Sequence, residues 1–338
     1  MTAELDVARL RAFLDDAAPE LAAGPLSAEL ILGGRSNLTY RLTDGAHRWI
    51  LRRPPLGHVL ATAHDMRREY TVMDALAGTG VPVPKMVLLH EDADVLGAPF
   101  YVMTEVPGTV YRTERETAGL GAERTRRLSD ALVDVLAALH GVDQDAVGLS
   151  GFGRPEGYLE RQLKRWRKQL DASRSRDLPA LDELHTRLSA AIPVTRRHSI
   201  VHGDYRLDNT IVSVDDRIAA VVDWEMATLG DPLADVGLFA VYWDALTEIP
   251  DTPLRGGITR AAGFPPFADL AERYAARTGA DLSDLPWYTA FGHFKLAVIA
   301  EGIHYRNLQG KTVGPGFDTI GEAVVPLSRR GLTILEGL

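Results

Sequence analysis

The sequence predicts a two-lobed α+β fold, with a β-rich first lobe and a mainly helical second lobe. Short β-type runs separated by turn signals fill much of residues 1–106, whereas helix-type patterns dominate residues 107–338. A third observation is a β-rich island at 199–222 inside the helical part, which indicates a small hairpin. Strands and helices that are segregated along a chain are typical of α+β proteins.

The first lobe is expected to contain an antiparallel sheet with one inserted helix. An amphipathic helix at 4–17 precedes the sheet, and Thr43-Asp44-Gly45 is a plausible hairpin turn. The inserted helix is predicted over about 62–77, from the spacing of its apolar residues. The five strands are predicted at Ala28–Leu32, Leu38–Leu42, Trp49–Leu51, 86–90 and 99–106.

The second lobe is expected to be a set of helices around the β-rich island. Val106-Pro107-Gly108 marks the hinge between the two lobes. The helices are predicted at roughly 121–140, 156–172, 178–191, 233–245, 267–278, 286–308 and 318–335. The strands of the island are predicted at Ser199–Val201, Thr210–Val212 and Ile218–Val222.

Composition excludes several classes of function. The 338 residues carry a formal net charge of −9, which argues against nucleic acid or an anionic membrane as the main partner. The chain has no cysteine, so disulfides, thiolate catalysis and zinc–thiolate sites are excluded. It shows no apolar run near the roughly 18 residues of a membrane span and no signal-peptide pattern, so we expect a cytoplasmic protein.

The strongest chemical signal is a His-x-Asp-x-x-x-x-Asn pattern in the β-rich island. His202, Asp204 and Asn209 follow one apolar strand, and Asp223 follows the next. Two carboxylates and an amide suit a hard cation such as Mg²⁺, and the spacing is that of a kinase-type catalytic loop. A hydrogen-bonded polar loop is the alternative, since Asp and Asn often cap turns. The four spaced residues favour catalysis, with Asp204 as the base and with Asn209 and Asp223 as metal ligands.

Three further segments are predicted to bind a nucleotide. The first is a glycine-containing turn between two strands, where backbone N–H groups can approach phosphate oxygens; its residues are Gly33, Gly34, Arg35, Ser36 and Asn37. The second is Arg52, a strand cation where a kinase has lysine, with Glu69 of the following helix as its partner. The third is the hinge at Glu105 and Val106, whose backbone groups are placed to read the adenine edge. A hairpin turn, a solvated helix charge and a plain linker are the respective alternatives.

Taken together, these motifs resemble the aminoglycoside phosphotransferase and choline kinase superfamily, which has a protein-kinase-like fold. The matching segments are LRRPPLGHVLATAHDMRREY (51–70), FYVMTEVPG (100–108), VHGDYRLDN (201–209) and VVDWEMATLGDPLADVG (221–237). Within that superfamily, the chain is most similar to the kinase-like domains fused to acyl-CoA dehydrogenases. The resemblance implies ATP and Mg²⁺ as cofactors and a small-molecule hydroxyl as phosphoryl acceptor. It also implies that Asp231 and Asp235 support the catalytic loop, and it makes Arg52 in place of lysine the visible departure.

The acceptor is expected to bind in the helical lobe, over Asp204. Arg161 and Arg165 belong to a run of five cations in 161–168, which suits a phosphorylated or CoA-linked acceptor. A solvated helix face is the alternative. His293 and Glu301 lie in an apolar helical stretch and are expected either to line the acceptor pocket or to form core ion pairs. The acceptor classes, in order of preference, are a hydroxyacyl-CoA, a sugar, an amino alcohol and an aminoglycoside.

Two other functions compete with the kinase interpretation. A nucleotide-binding pseudokinase or scaffold is favoured by Arg52 at the lysine position, and is disfavoured by the joint presence of Asp204, Asn209 and Asp223. A metal hydrolase that uses His202, Asp204 and Asp223 leaves Asn209, the glycine turn and the hinge unexplained.

Overall fold

The computed structural model describes residues 5–31, 37–56, 65–244, 258–260, 263–312 and 317–337. The chain folds into two compact units. One unit comprises residues 1–108 together with 219–227, and the other comprises 109–218 and 228–338. The segment 219–227 therefore packs with the first unit, although the sequence placed all of 107–338 in one lobe. A hydrogen bond from Val221 N–H to the Pro82 carbonyl is one of the contacts that hold it there.

The first unit is built on an antiparallel five-stranded sheet, as predicted. The strands are β1 (Ser27–Leu30), β2 (Leu38–Thr43), β3 (Arg48–Arg53), β4 (Met86–His90) and β5 (Phe100–Thr104), in the order β1-β2-β3-β5-β4. The predicted turn joins β2 to β3, and the Asp44 carboxylate accepts hydrogen bonds from the backbone N–H groups of Ala46 and His47. Gly45 in this turn has a φ of 92°, which glycine adopts without steric cost.

Helices cover parts of this sheet. Helix α1 (Val7–Ala17) buries Leu10 and Leu14 in a core shared with Tyr40, Leu42 and Leu51. Asp65 is the N-cap residue of helix α2 (Met66–Leu76), because its carboxylate accepts a hydrogen bond from Arg68 N–H. The cap fixes the start of α2 and places Glu69, one turn later, on the buried side of the helix.

The second unit is mainly helical; its short first helix was not predicted, and the others lie close to the predicted ranges. They are α3 (Glu114–Thr117), α4 (Gly121–Gly141), α5 (Tyr158–Ser173), α6 (Pro179–Ala190), α7 (Leu233–Trp243), α8 (Phe267–Thr278), α9 (Leu285–Leu308) and α10 (Val324–Glu336). The range predicted at 318–335 begins its α-helix only at Val324, after a 3₁₀ turn at Ile320–Ala323.

The β-rich island has the predicted strands and one further strand. Strands β6 (Ser199–Val201), β7 (Thr210–Val212) and β8 (Ile218–Val221) were expected, and β9 (Thr228–Gly230) was not. Strand β9 pairs antiparallel with β6, so that Ile200 lies opposite Leu229. Strands β6 and β7 each contain Ile followed by Val, whereas β9 reads Thr-Leu-Gly and lacks such a pair of β-branched residues, which is why the sequence analysis did not detect it.

Helices α7 and α9 pack closely because glycine lies where they cross. A Cβ added at Gly237 would lie 2.4 Å from the backbone carbonyl carbon of Tyr288, and one at Gly292 would lie 3.2 Å from Cα of Leu238. Both helices carry residues of the candidate active site. The close crossing therefore sets the distance between the active-site residues of α7 and those of α9.

We expect Gly237→Ala to lower the free energy of unfolding by about 1–3 kcal/mol, because the added methyl group overpacks the helix crossing. The measurement is urea denaturation. Gly141→Ala is the matched control, since a Cβ there meets no atom within 4 Å; it should be neutral or stabilising by up to about 1 kcal/mol. An equal urea midpoint for both variants would contradict the tight crossing.

Candidate active site

The predicted base, Asp204, lies in a tight loop between β6 and a 3₁₀ turn at Leu207–Asn209. Its carboxylate is one-fifth exposed and accepts hydrogen bonds on both oxygens. The Tyr242 hydroxyl donates to Oδ1 at 2.6 Å, and Nδ2 of Asn209 donates to Oδ2 at 2.9 Å. The loop therefore holds an oriented carboxylate that solvent can still reach.

Asn209 has a fixed orientation as well. Its Nδ2 also donates to the backbone carbonyl of Asp204 at 2.8 Å, so the amide nitrogen is committed to the loop. The amide oxygen, Oδ1, is then the atom of this side chain that can act as a metal ligand or hydrogen-bond acceptor. The spacing of five residues, noted in the sequence, thus has a direct structural basis.

The sequence analysis missed Tyr242, which contacts Asp204 from α7. Burial, followed by the negative charge of Asp204, raises the pKa of the Tyr242 hydroxyl well above its usual value, so this hydroxyl stays a donor. The guanidinium of Arg206 lies 4.5 Å from the centre of the Tyr242 ring and 2.9 Å from Asp208. The signal that could have indicated it is a tyrosine near the end of a helix that is apolar after its first turn.

A buried carboxylate supports the loop from below, as the resemblance implied. Asp235, in the first turn of α7, accepts from the backbone N–H groups of His202 and Gly203 at 2.6 and 2.8 Å. Burial acts to raise the pKa of Asp235, but its hydrogen bonds and the nearby His140 outweigh burial and lower it. Asp231, just before the same helix, accepts from Leu233 N–H, and it also accepts from the Tyr288 hydroxyl at 2.7 Å.

In the first unit, Arg52 of β3 forms an ion pair with Glu69, its predicted partner, and a second with Asp223, which the sequence analysis had assigned to the metal. One Nη of Arg52 lies 2.5 Å from Asp223 Oδ1, and its Nε lies 3.5 Å from Glu69 Oε2. Glu225 lies 3.9 Å from the same guanidinium. The strand position and the helix cap together bring Arg52 and Glu69 into contact.

Glu69 is fully buried and strongly constrained. Asn37 Nδ2 donates to Oε1 at 3.1 Å, and the Tyr101 hydroxyl donates to Oε2 at 3.0 Å. Burial raises the pKa of Glu69 to about 7, and the attraction of Arg52 opposes that rise. Tyr101 was not singled out in the sequence, since an aromatic residue in a strand is usually part of the core.

Asp223 follows β8 in a left-handed backbone conformation, with φ of 68°. Such a conformation is uncommon for a residue with a side chain, although Asp and Asn adopt it more readily than most. A 3₁₀ turn at Trp224–Met226 comes next, and the Trp224 indole N–H donates to the Val221 carbonyl at 3.0 Å. These contacts fix the backbone on both sides of Asp223.

The other predicted nucleotide-binding residues have varied surroundings. Gly33, Gly34, Arg35 and Ser36 lie outside the described residues. Glu105 follows β5, and its carboxylate lies 2.7 Å from Arg41 Nε. The backbone N–H of Glu105 donates to the backbone carbonyl of Arg48 at 3.3 Å, so this N–H already has an acceptor within the unit. Val106 is half-buried.

The basic run of α5 has the properties of a solvated helix face. Leu163 and Trp166 are buried, whereas Arg161 and Arg165 are exposed. Arg161 donates to the backbone carbonyls of Arg154 and Glu156, and the Arg165 guanidinium lies 5.5 Å from the Trp166 ring. These contacts fit the alternative that the sequence analysis set beside acceptor binding.

Glu301 and His293 of α9 are both buried. Ser175 donates to the Glu301 carboxylate through its N–H and its hydroxyl, and Arg176 lies 3.1 Å away. Glu301 thus has the contacts of a core ion pair. His293 has one ring nitrogen, Nδ1, 2.9 Å from the Thr289 carbonyl, and Nε2 has no hydrogen-bond partner in the part of the chain that the structure describes.

Among the described residues, no three Asp, Glu or His side chains converge closely enough to hold a metal ion by themselves. None of the helices in the described ranges has both the length and the apolar character of a membrane span.

The model of the phosphotransferase enzyme family matches residues 27–276. The chain belongs to this family. It is 32% identical over 338 residues to acyl-CoA dehydrogenase family member 11 of Rattus norvegicus, covering 98% of this chain and 43% of that protein. It is 35% identical over 296 residues to family member 10 of Mus musculus, covering 86% of this chain and 27% of that protein. The chain thus spans less than half the length of these relatives.

Solved structures agree on the fold. A crystal structure from Ralstonia eutropha JMP134, described as a candidate aminoglycoside phosphotransferase, has a TM-score of 0.85 at 36% identity and covers 99% of both chains. The GDP complex of aminoglycoside 2'-phosphotransferase-IIIa has a TM-score of 0.63 at 17% identity, covering 97% of this chain and 99% of that one. The latter likeness shows the fold alone. The class is therefore that of a small-molecule phosphotransferase with a kinase-like fold, and the predicted resemblance is confirmed.

Arg52→Ala should lower the free energy of unfolding by roughly 3–5 kcal/mol, because it leaves the buried Glu69 carboxylate without its cation. Arg52→Lys should cost less, since it keeps the charge but not the two-sided reach of the guanidinium. Urea denaturation of both variants, alone and combined with Glu69→Gln, measures the coupling. Identical urea midpoints for wild type and Arg52→Ala would show that the ion pair contributes nothing to the free energy of unfolding.

His293 should make the protein sensitive to acid. Burial lowers its pKa to about 4 from the ordinary 6.5, so the folded state binds fewer protons than the unfolded state between these values. The contribution of neutral His293 to the free energy of unfolding is then complete above about pH 6.5. As the pH drops toward 4, this contribution is lost, by roughly 3 kcal/mol in total. His293→Gln should flatten that fall in urea denaturation at several pH values, whereas the exposed His198→Gln should not.

Proposed function

We propose that this protein transfers the γ-phosphoryl group of ATP to a hydroxyl group of a small molecule, with Asp204 as the catalytic base. The observation that carries the proposal is the Asp204 carboxylate, which Tyr242 and Asn209 orient while part of it stays exposed. Each carboxylate oxygen accepts one of these hydrogen bonds and keeps a further lone pair for an incoming proton.

The reaction assigned to these residues is an in-line displacement. The acceptor oxygen forms a bond to the γ-phosphorus, the bond from that phosphorus to the bridging oxygen breaks, and ADP leaves. The hydroxyl proton passes to Asp204. Since the transition state of such transfers is loose, catalysis rests mainly on positioning and on neutralising charge.

The donor set fits Mg²⁺. The Oδ1 atom of Asn209 and the carboxylate of Asp223 are hard oxygen ligands of the kind that Mg²⁺ prefers, and Mg²⁺ commonly uses one or two protein ligands and completes its shell with phosphates and water. When bound, the ion would neutralise the charge on the nucleotide phosphates.

Arg52, held by Glu69, is proposed to contact the nucleotide phosphates in place of the usual lysine. Two proteins of the same fold support a nucleotide role: one was solved with GDP, and APH(4)-Ia was solved as a ternary complex with AMP-PNP and hygromycin B. Gly33, Gly34, Arg35, Ser36, Asn37, Glu105 and Val106 remain predicted nucleotide contacts.

For the acceptor, we propose a hydroxyacyl-CoA before a sugar, an amino alcohol or an aminoglycoside. The support is that the relatives with 32–35% identity carry the name acyl-CoA dehydrogenase family member. The test is a screen of these four classes with ATP and Mg²⁺, scored by the mass gain of one phosphoryl group. Transfer to an aminoglycoside with none to a hydroxyacyl-CoA would overturn this order.

One observation favours a second candidate function, a nucleotide-binding scaffold without transfer. The ion pair between Arg52 and Asp223 occupies a carboxylate that the metal would need. If that pair persists with nucleotide, the protein would bind ATP without using Mg²⁺. Equal ATP affinity with and without Mg²⁺, together with no transfer in the screen, would favour the scaffold.

Asp204→Asn should lower kcat by roughly 10²–10⁴-fold on the acceptor found in the screen, because it keeps the shape and removes the proton acceptor. Its affinity for ATP·Mg²⁺ should stay near that of wild type. Asp223→Ala is the contrasting variant, since it should weaken ATP·Mg²⁺ binding itself. Near-normal turnover by Asp204→Asn would exclude Asp204 as the base.

A further inference from the structure

Lys295 of α9 is a buried cation next to the loop that carries Asp204. Its side chain is 6% exposed, among largely apolar neighbours on its own helix. Its Nζ donates to the Gly203 carbonyl at 2.5 Å and lies 5.4 Å from the centre of the Trp166 ring. Burying an ammonium group is expensive unless it is paired and hydrogen-bonded, so its position calls for an explanation.

The hydrogen bond from Lys295 acts on the peptide group just before Asp204. The carbonyl of that peptide belongs to Gly203 and accepts from Lys295, while its N–H belongs to Asp204 and donates to Nδ1 of His202 at 3.2 Å. The peptide group is therefore held from both ends by side chains. Rotating it would change ψ of Gly203 and φ of Asp204, the backbone angles that set the direction of the Asp204 side chain.

The preceding peptide is held as well. Asp235 accepts from Gly203 N–H, and Gly203 has a φ of 81°, in the left-handed region that favours glycine. Because glycine is the most flexible residue, its conformation depends on external contacts. Lys295 and Asp235 supply these contacts from two different helices.

We propose that Lys295 is a positioning residue for Asp204, and that it acts by fixing the Gly203 carbonyl. This inference rests on the proposed role of Asp204 as the base. Burial lowers the pKa of Lys295 to about 8, and the negative charges of Asp204 and Asp235 oppose that effect. At neutral pH the ammonium form therefore predominates, and a charged donor makes a stronger hydrogen bond than a neutral one.

The first test measures the loop directly, without any substrate. Lys295→Met keeps the length of the side chain and removes its donor. Hydrogen exchange followed by mass spectrometry should show faster exchange of the amides in 200–206, by about 10-fold or more. Val298→Ala is the matched control: it truncates a buried residue of the same helix, and it should lower the melting temperature without changing exchange in 200–206. Exchange in Lys295→Met at the wild-type rate would overturn the proposal.

The second test measures turnover with Mg²⁺·ATP as the probe. The readout is the rate of ADP formation, first with water as the only phosphoryl acceptor and then with the acceptor from the screen. Lys295→Met should lower kcat by about 10–100-fold and leave the KM for ATP within about twofold. Lys295→Arg should recover part of kcat, because it keeps a charged donor at this position. A change in KM alone, or no recovery with arginine, would count against positioning.

Two results separate this inference from the proposed function. If Asp204→Asn turns over normally while Lys295→Met loosens the loop, the role of Asp204 as base is wrong and Lys295 is a loop contact only. If Asp204→Asn is inactive while Lys295→Met has the hydrogen-exchange rates and the kcat of wild type, the role of Asp204 as base is supported and the positioning role of Lys295 is wrong. Should Lys295→Met fail to fold, Lys295→Leu, which also lacks a donor, takes its place in both measurements.

Discussion

The second unit depends on one buried carboxylate. Asp235 lies in the first turn of α7 and accepts two consecutive backbone N–H groups, those of His202 and Gly203. An ionised carboxylate without partners would be costly in this environment, so the loop and the helix stabilise one another. The same helix carries Tyr242, which means that the element supporting the loop also supplies a donor to Asp204.

A second buried charge organises the first unit. Arg52 is a planar cation with several donors, so it can contact Glu69 and Asp223 at the same time, whereas the compact ammonium of lysine has a single centre. Glu69 in turn is held by Asn37 and Tyr101. Arg52 thus has a structural use in this chain, which is to join two carboxylates to one strand.

Family membership and fold restrict the type of reaction more than they restrict the identity of the substrate. The matched family defines a phosphotransferase, and the proteins of similar fold include some that were solved with nucleotide. The surfaces expected to bind the acceptor are less informative, because the cations of α5 are exposed and Glu301 is paired within the core. A substrate is recognised by side chains that vary between relatives, whereas the transfer chemistry demands the same few groups each time.

The sequence by itself determined most of the strands and helices in their order, the His-x-Asp-x-x-x-x-Asn loop from His202 to Asn209, and the pairing of Arg52 with Glu69. These follow from periodicity and from short spacings, which local backbone geometry converts directly into structure. Only the tertiary structure decided that 219–227 packs with the first unit, that Tyr242 contacts Asp204, and that Lys295 contacts Gly203. The physical reason is that these contacts join residues far apart in the chain: which donor reaches which acceptor depends on how helices such as α7 and α9 pack, and no local pattern encodes that distance.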